Sequence, residues 1–398
     1  MTDPDYDPYS VEAMADPLPI YARLRAWPGP YRLERYGAWA LARFADVWEV
    51  FSDMEDFSIA DGPIFERALL DGSRPVPGDE ERGPLTGFVS LDPPLHTELR
   101  SAVSTGLRPR AVAALEDRVR DLARQRLDAL VPAGRFDVRE DYAGPVSAAV
   151  ICLLVGLPLD HVAAVQNLAN AALRRSGGRP GLGADAISAR DDLDRLLLDR
   201  VRVAPGDGLA GPLSQMDIGG RPLTDTEIVT QIRGVVSGGV ETVPKVVAAG
   251  LLELWRDPQA RRALTATPGG CAGAFEEMVR LGGPLQWVGR TLLRDRVVAG
   301  QEMRAGDRVL LLIASANRDG AEFADPDRFV WDRRIERHVG FGYGRHHCIG
   351  THVARLEGRV LLEELLARVP DYSIQLDGIE MPPSEFQVGY TRMPLIVG

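Results

Sequence analysis

This sequence contains almost no lysine: Lys245 is the only one, and the remaining positive charge is arginine, a bias that reads as coding composition rather than function. Cysteine is nearly as scarce. Cys152, Cys271 and Cys348 are odd in number and far apart, which argues against a disulfide framework or a paired-cysteine zinc site and leaves at least one thiol for other work. No run approaches the roughly 20 apolar residues of a bilayer-spanning helix. The opening Met1-Thr-Asp-Pro-Asp lacks the basic flank and apolar stretch of a signal peptide, so the expected location is the cytoplasm. Runs of basic residues are missing too, and the net charge of −11 disfavours non-specific nucleic-acid binding.

What is present is enough apolar material, 45% of 398 residues, to bury a large core. Length alone would suggest two or three domains. The Pro- and Gly-containing stretches 71–84, 177–183 and 204–211 nevertheless read as surface loops rather than linkers, and no fixed-period repeat occurs. A single domain over 1–398 is expected. Apolar residues recur at helical spacing over 109–130, 145–155, 188–203, 224–255 and 351–369, whereas strand-like runs such as 309–313 and 372–375 are few and short. The predicted fold is mainly α with small β-sheets.

The longest helix, about 224–256, starts at a capping-box pattern, Thr224 with Glu227, and stops at Asp257-Pro258. About thirty residues at 1.5 Å each would cross most of the molecule. Its interior is poorly suited to a helix: Gly238 and Gly239 cost ~1 kcal/mol each and Pro244 several. Pro244 cannot donate to the carbonyl of Val240, so a kink or opening is expected there. Such a local violation marks a functional cleft.

The most informative segment is 341–350, Phe-Gly-Tyr-Gly-Arg-His-His-Cys-Ile-Gly, followed at once by an apolar-patterned helix. Cys348 stands at that helix's entrance, where the dipole and unpaired N–H groups favour a thiolate and lower its pKa. Gly342, Gly344 and Gly350 let the backbone turn tightly and approach a flat cofactor. A lone cysteine in such a place is more often buried filler.

At this loop the sequence resembles the cytochrome P450 family, whose haem-binding signature runs Phe, two residues, Gly, one residue, Arg or His, one residue, Cys, one residue, Gly. Phe341, Gly344, His346, Cys348 and Gly350 fill it, and further family marks follow in order from Asp92 to Cys348. The resemblance implies the cytochrome P450 fold, haem b with Cys348 as proximal iron ligand, and O2 as co-substrate. It implies that His96, Arg100, Arg290 and His346, with His338 as a weaker candidate, hold the haem propionates. Basic groups making bidentate or charge-assisted contacts suit that task. Glu277, Arg280 and Arg328 correspond to the family's structural ion network.

The same resemblance makes the groove at Gly238-Gly239-Val240-Glu241-Thr242 the oxygen-binding segment, with Glu241 and Thr242 as the acid–alcohol pair that delivers protons. Pro244 departs from the family's more usual helix-compatible residue. The implied reaction inserts one atom of O2 into a small organic substrate. Electrons come from a ferredoxin and its reductase, and so indirectly from NAD(P)H, because the chain carries no flavin or iron–sulfur domain of its own. Arg108, Arg110, Arg337, Arg345, Arg355 and Arg359 could form the basic patch that steers an acidic partner. A monomer is expected.

Family topology nominates Phe65, Phe88, Val236, Gly238, Leu285, Trp287, Val288, Phe386 and Val388 as substrate walls. Arg233 and Ser237 lie one turn apart on a helical face that continues to Glu241, and could receive a carboxylate or phenol. The stretches 277–291 and 314–319 resemble members that hydroxylate or O-demethylate substituted benzoates, which points to an aromatic acid or phenol ether. A terpenoid or natural-product intermediate is the alternative. A peroxide-driven peroxygenase and a non-catalytic haem sensor or carrier are the rival functions; the Glu241–Thr242 pair favours the oxygen route over both.

Overall fold

The computed structural model describes residues 2–53, 55–72, 85–175 and 181–398. The loops expected over 71–84 and 177–183 lie largely outside these. Helices dominate, and the helix Asp225–Arg256 is the axis of the assembly, in contact with Gly144–Val155, Val162–Leu173, Ala184–Val203, Gly270–Gly282 and Thr351–Arg368. Its capping box is formed: Thr224 Oγ1 accepts from Glu227 N, and Glu227 Oε2 accepts from Thr224 N at 2.8 Å. Asp257 both ends this helix and caps the next, accepting from Gln259 N and Ala260 N.

By length and composition this helix would suffice to cross a bilayer, yet most of its apolar stretch is buried inside the protein. The sequence reading missed it because glycines, Glu241 and Lys245 interrupt the apolar run. The helix continues through Pro244 without a break. Close approach of its neighbours supplies the packing that offsets the proline and glycine penalties. A Cβ on Gly239 would lie 2.4 Å from Ile151 Cδ1, and one on Gly250 2.1 Å from Met278 Sδ.

The helix expected over 109–130 is two, Pro109–Ala113 and Glu116–Leu130. A five-stranded mixed sheet runs in the order Tyr31–Leu33, Ala38–Leu41, Arg308–Leu311, Val288–Leu292, Phe57–Ser58, with Val309 paired to Trp39 on one side and Arg290 on the other. The run expected over 309–313 thus turns helical at Ile313. Tyr372–Ile374 joins Pro394–Val397 and Arg135–Asp137 in a second sheet. The main core surrounds the central helix, a second gathers Tyr6, Tyr9, Tyr21 and Tyr36 against Phe65 and Trp287, and a third lies under Trp39, Phe44 and Phe51.

Candidate active site

The loop 341–350 is held by its own backbone. Gly342 and Gly344 adopt φ of 68° and 74°, a region where a side chain would be strained, and this lets Cys348 N donate to Phe341 O at 2.8 Å. The helix Thr351–Arg368 begins just beyond, and the Thr351 hydroxyl donates to Cys348 O at 2.8 Å. A Cβ on Gly350 would lie 3.9 Å from Cys348 Sγ. Cys348 keeps exposed surface at the entrance of this helix. The expected lowering of its pKa is not the net result. Burial raises the thiol, and the Gly350 and Thr351 groups and the Arg100 charge only partly oppose this. A coordinated metal ion would hold it as thiolate.

Beside the thiol, basic groups converge. The rings of His96 and His346 lie 4.0 Å apart, Arg100 Nη2 donates to His347 O, and Arg290, buried in the sheet, donates Nη1 to Gly289 O at 2.7 Å. Both His96 ring nitrogens, His346 Nε2 and Arg290 Nε are buried without a hydrogen-bond partner among the described residues. Burial and the Arg100 charge push His96 down to about 4, burial with the neighbouring His96 and Arg290 pushes His346 to about 3, and burial lowers Arg290 to about 10. Leaving such groups unpaired costs several kcal/mol. A dianionic ligand with carboxylates beside the thiol satisfies them, so these residues fit haem.

Midway along the central helix, Gly234 and Gly238 are exposed and Thr242 half-buried, at spacings of four. A Cβ on Gly238 would meet nothing within 4 Å. This stripe leaves one side of the helix uncovered by side chains. The Thr242 hydroxyl donates to Gly238 O at 2.6 Å. Glu241 points elsewhere: its Oε1 is 2.6 Å from Lys245 Nζ and 3.8 Å from Arg139 Nη2. Consecutive helical residues are about 100° apart, so the acid and the alcohol, adjacent in sequence, are not in contact.

The expected substrate walls divide. Leu285 and Val288 are half-buried and Ser237 lies half-buried near Gly238. Phe65 and Trp287 are instead part of the tyrosine-rich core, at 1% and 0% exposure, and Val236, Phe88 and Phe386 are likewise buried. Val388 lines a separate cleft with Ala249, Met278 and Tyr390. Apolar residues near a site are first of all core. Arg233 is also corrected: its Nη1 is paired with Asp194 of Ala184–Val203, so its charge is already met.

The ion network differs from expectation in one member. Arg280 makes two bonds to Glu277, Nε–Oε2 at 2.6 Å and Nη2–Oε1 at 2.8 Å, but the second arginine on Glu277 is Arg333, at 3.0 Å. Arg328 is exposed and contributes only its carbonyl, which accepts from both arginines. His338 binds Glu276 at 3.1 Å and accepts from Gly340 N, turning both ring nitrogens to protein groups. Half the proposed basic patch is paired: Arg337 with Glu322, Arg355 with Glu276, and Arg359 with Glu116. Arg108, Arg110 and Arg345 are exposed. Sequence reasoning overlooked Lys245, Arg139, Gln387 and Arg333. Lys245 alone carried a signal, an i,i+4 spacing from Glu241; the others reach the site from distant segments.

Comparison with known proteins agrees with this geometry. The family model for cytochrome P450 matches residues 273–392. Cytochrome P450 130 of Mycobacterium tuberculosis is 32% identical over 399 residues, covering 98% of this chain and 96% of that one. The 20-oxo-5-O-mycaminosyltylactone 23-monooxygenase of Streptomyces fradiae is 34% identical over 80% of this chain and 76% of its own length. Among solved structures, a mutant of P450 EryK in complex with erythromycin B superposes with a TM-score of 0.83 at 28% identity, covering 98% of this chain and 97% of that one. With full-length similarity of this order and a thiol-and-base cluster that fits haem, the chain belongs to the cytochrome P450 family and is a haem-dependent monooxygenase.

Proposed function

We propose that this chain, acting as a monomeric single domain over 1–398 in the cytoplasm, oxygenates an uncharged, largely apolar small molecule with electrons passed from NAD(P)H through a ferredoxin reductase and a ferredoxin. The observation that carries the substrate class is the Arg233–Asp194 pair. The aromatic-acid reading needed a cation over the pocket, and the one nominated for it is neutralised. Ser237, Leu285 and Val288 supply a weakly polar surface, which suits a ligand recognised by shape and a few hydrogen bonds. A relative named as a steroid C26-monooxygenase, 31% identical over 78% of this chain, supports the same reading.

In this reading Cys348 ligates the iron, and His96, Arg100, Arg290 and His346 neutralise the two propionates. Phe341, Gly342 and Gly350 shape the loop against the macrocycle. Bound there, haem supplies the capture and activation of O2. Thr242 offers a hydroxyl on the open stripe of the central helix, and Glu241 is the carboxyl that resupplies protons from behind. The exposed Arg108, Arg110 and Arg345 remain for steering the electron donor.

The reduced protein with carbon monoxide should show a strongly red-shifted Soret band that is lost in Cys348→Ser. An imidazole-type band in the wild type would overturn the ligand assignment. A substrate screen should give larger spin shifts with neutral polycyclic or macrocyclic compounds than with benzoates; the reverse ranking would restore the aromatic-acid reading. Turnover faster with hydrogen peroxide than with ferredoxin would favour a peroxygenase.

A further inference from the structure

Where the central helix passes the end of the helix Gly270–Gly282 it carries two small residues, Ala249 and Gly250. A Cβ on Gly282 would lie 2.8 Å from Ala249 Cβ, so the two helices meet closely there and leave their shared outer edge without bulky side chains. Beside that edge runs the turn 386–390. It is held on one side by Val388 N donating to Pro284 O at 2.7 Å and on the other by Lys245 Nζ donating to Gln387 Oε1 at 2.9 Å. Together with Pro17 and Leu18 these segments enclose a half-buried cleft of about 180 Å³. Neither Cys348 nor any residue of the open stripe on the central helix lines it.

The walls are apolar and polarisable. Met278 and Phe329 are buried, Tyr390 is half-buried, and Met381, 41% exposed, stands toward solvent. A dry cavity of about 150 Å³ accepts benzene, so this one has room for a single ring with a short substituent. Thioethers and aromatic faces both favour such a ring.

Three charged side chains line the cleft: Asp16, Glu253 and Arg318. Arg318 is already engaged, with Nη1 3.1 Å from Asp327 Oδ1 and Nη2 donating to Leu281 O at 2.9 Å. Glu253 uses one oxygen on Arg256 at 2.6 Å, and its other oxygen has no hydrogen-bond partner among the described residues. Asp16 is exposed and accepts only from Leu18 N. The helix Gly270–Gly282 also ends here, bringing the negative end of its dipole. The unmatched charge of the cleft is therefore negative. Burial raises the Tyr390 hydroxyl, Arg256 opposes this and Glu253 adds to it, which sets the acid and the phenol ring at one end of the cleft. A carboxylate beside an aromatic face suits a cation.

We propose that this cleft is a second ligand site, outside the haem pocket, for a small aromatic ammonium ion. The ring lies among Met278, Phe329 and Met381, and the charged nitrogen faces Glu253 and the Tyr390 ring. Val388 is bonded to Pro284, which precedes the half-buried Leu285, so an occupant braces one wall of the haem pocket from behind. Ligands at the two sites then alter each other's affinity by the same factor without excluding each other.

Benzyltrimethylammonium is the probe, because its quaternary nitrogen has no lone pair to offer iron. Neopentylbenzene is its neutral isostere, and benzoate supplies an anion. Calorimetry on the haem-loaded protein should show one site that takes the cation more tightly than the isostere and the isostere more tightly than benzoate. Glu253→Gln and Tyr390→Leu should each weaken the cation by about fivefold, and Glu253→Gln should leave neopentylbenzene unchanged. The carbon monoxide spectrum reports that each variant is folded and loaded. In an optical titration with 4-phenylimidazole, which binds the iron and fills the haem pocket, rising benzyltrimethylammonium should shift the apparent affinity to a plateau. Weakening that grows without limit would mean that both compounds compete for the haem pocket, and overturns the second site. An unchanged 4-phenylimidazole affinity overturns the coupling. No binding of the cation, equal affinity for cation and isostere, or a cation affinity indifferent to Glu253→Gln overturns the ligand class.

Discussion

Arg333 Nε lies 3.0 Å from Glu277 Oε1 and 3.1 Å from Oε2, although it stands five positions beyond Arg328, the arginine that the motif order suggests. Glu277 has no exposed side-chain surface and takes its remaining bonds from Arg280 and Val330 N. Removing one partner of a buried charge costs about 3–5 kcal/mol. Arg333→Leu should therefore lower the thermal midpoint and haem retention sharply, while Arg328→Leu changes stability by less than about 0.5 kcal/mol. Equal losses in a paired denaturation series would contradict this assignment.

His96 has two unpartnered ring nitrogens at 1% exposure. His96→Phe keeps the ring shape and removes the polar atoms, so the apoprotein should gain about 1–2 kcal/mol. Haem affinity should fall at the same time. Opposite signs in apo stability and haem binding, read by denaturation and by haem transfer, separate a ligand-binding role from a packing role.

Gly238 and Gly239 are neighbours with opposite surroundings, open space for one and Ile151 Cδ1 at 2.4 Å for the other. Gly238→Ala should stabilise the helix by up to about 1 kcal/mol while weakening the substrate-induced spin shift. Gly239→Ala forces the helix Gly144–Val155 outward and should cost about 1–3 kcal/mol. Thermal midpoints moving in the same direction would show that the stripe is misplaced.

Glu357 is buried beside Ser147, whose hydroxyl donates to it, and burial pushes its carboxyl up to about 8. Between the ordinary carboxyl range and that value the folded state holds a proton that the unfolded state has lost. Stability from this group is complete below the unfolded pKa and is lost as pH rises through the window, with a slope of up to about 1.4 kcal/mol per pH unit. Glu357→Gln removes that slope, so its thermal midpoint should overtake the wild type as pH approaches 8. Parallel curves across the window would show that Glu357 is ionised in the fold.

The sequence by itself determined whatever depends on local pattern. The central helix is marked by its capping box and by the stop at Asp257, the loop 341–350 by glycines that positive φ demands, and the family by five spaced residues around Cys348. Helical period and turn chemistry act over a few residues, so they survive without tertiary information. Tertiary structure alone decided which groups meet. Arg333 displaced Arg328 because Glu277 is reached through a loop whose path no periodicity encodes. Phe65 and Trp287 went to the core because apolar character does not say which cavity a side chain faces. Glu241 turned to Lys245 because a buried carboxylate takes the nearest cation, and whether that side of the helix is buried depends on Arg139 and Gln387, 102 residues before and 146 after it in the chain.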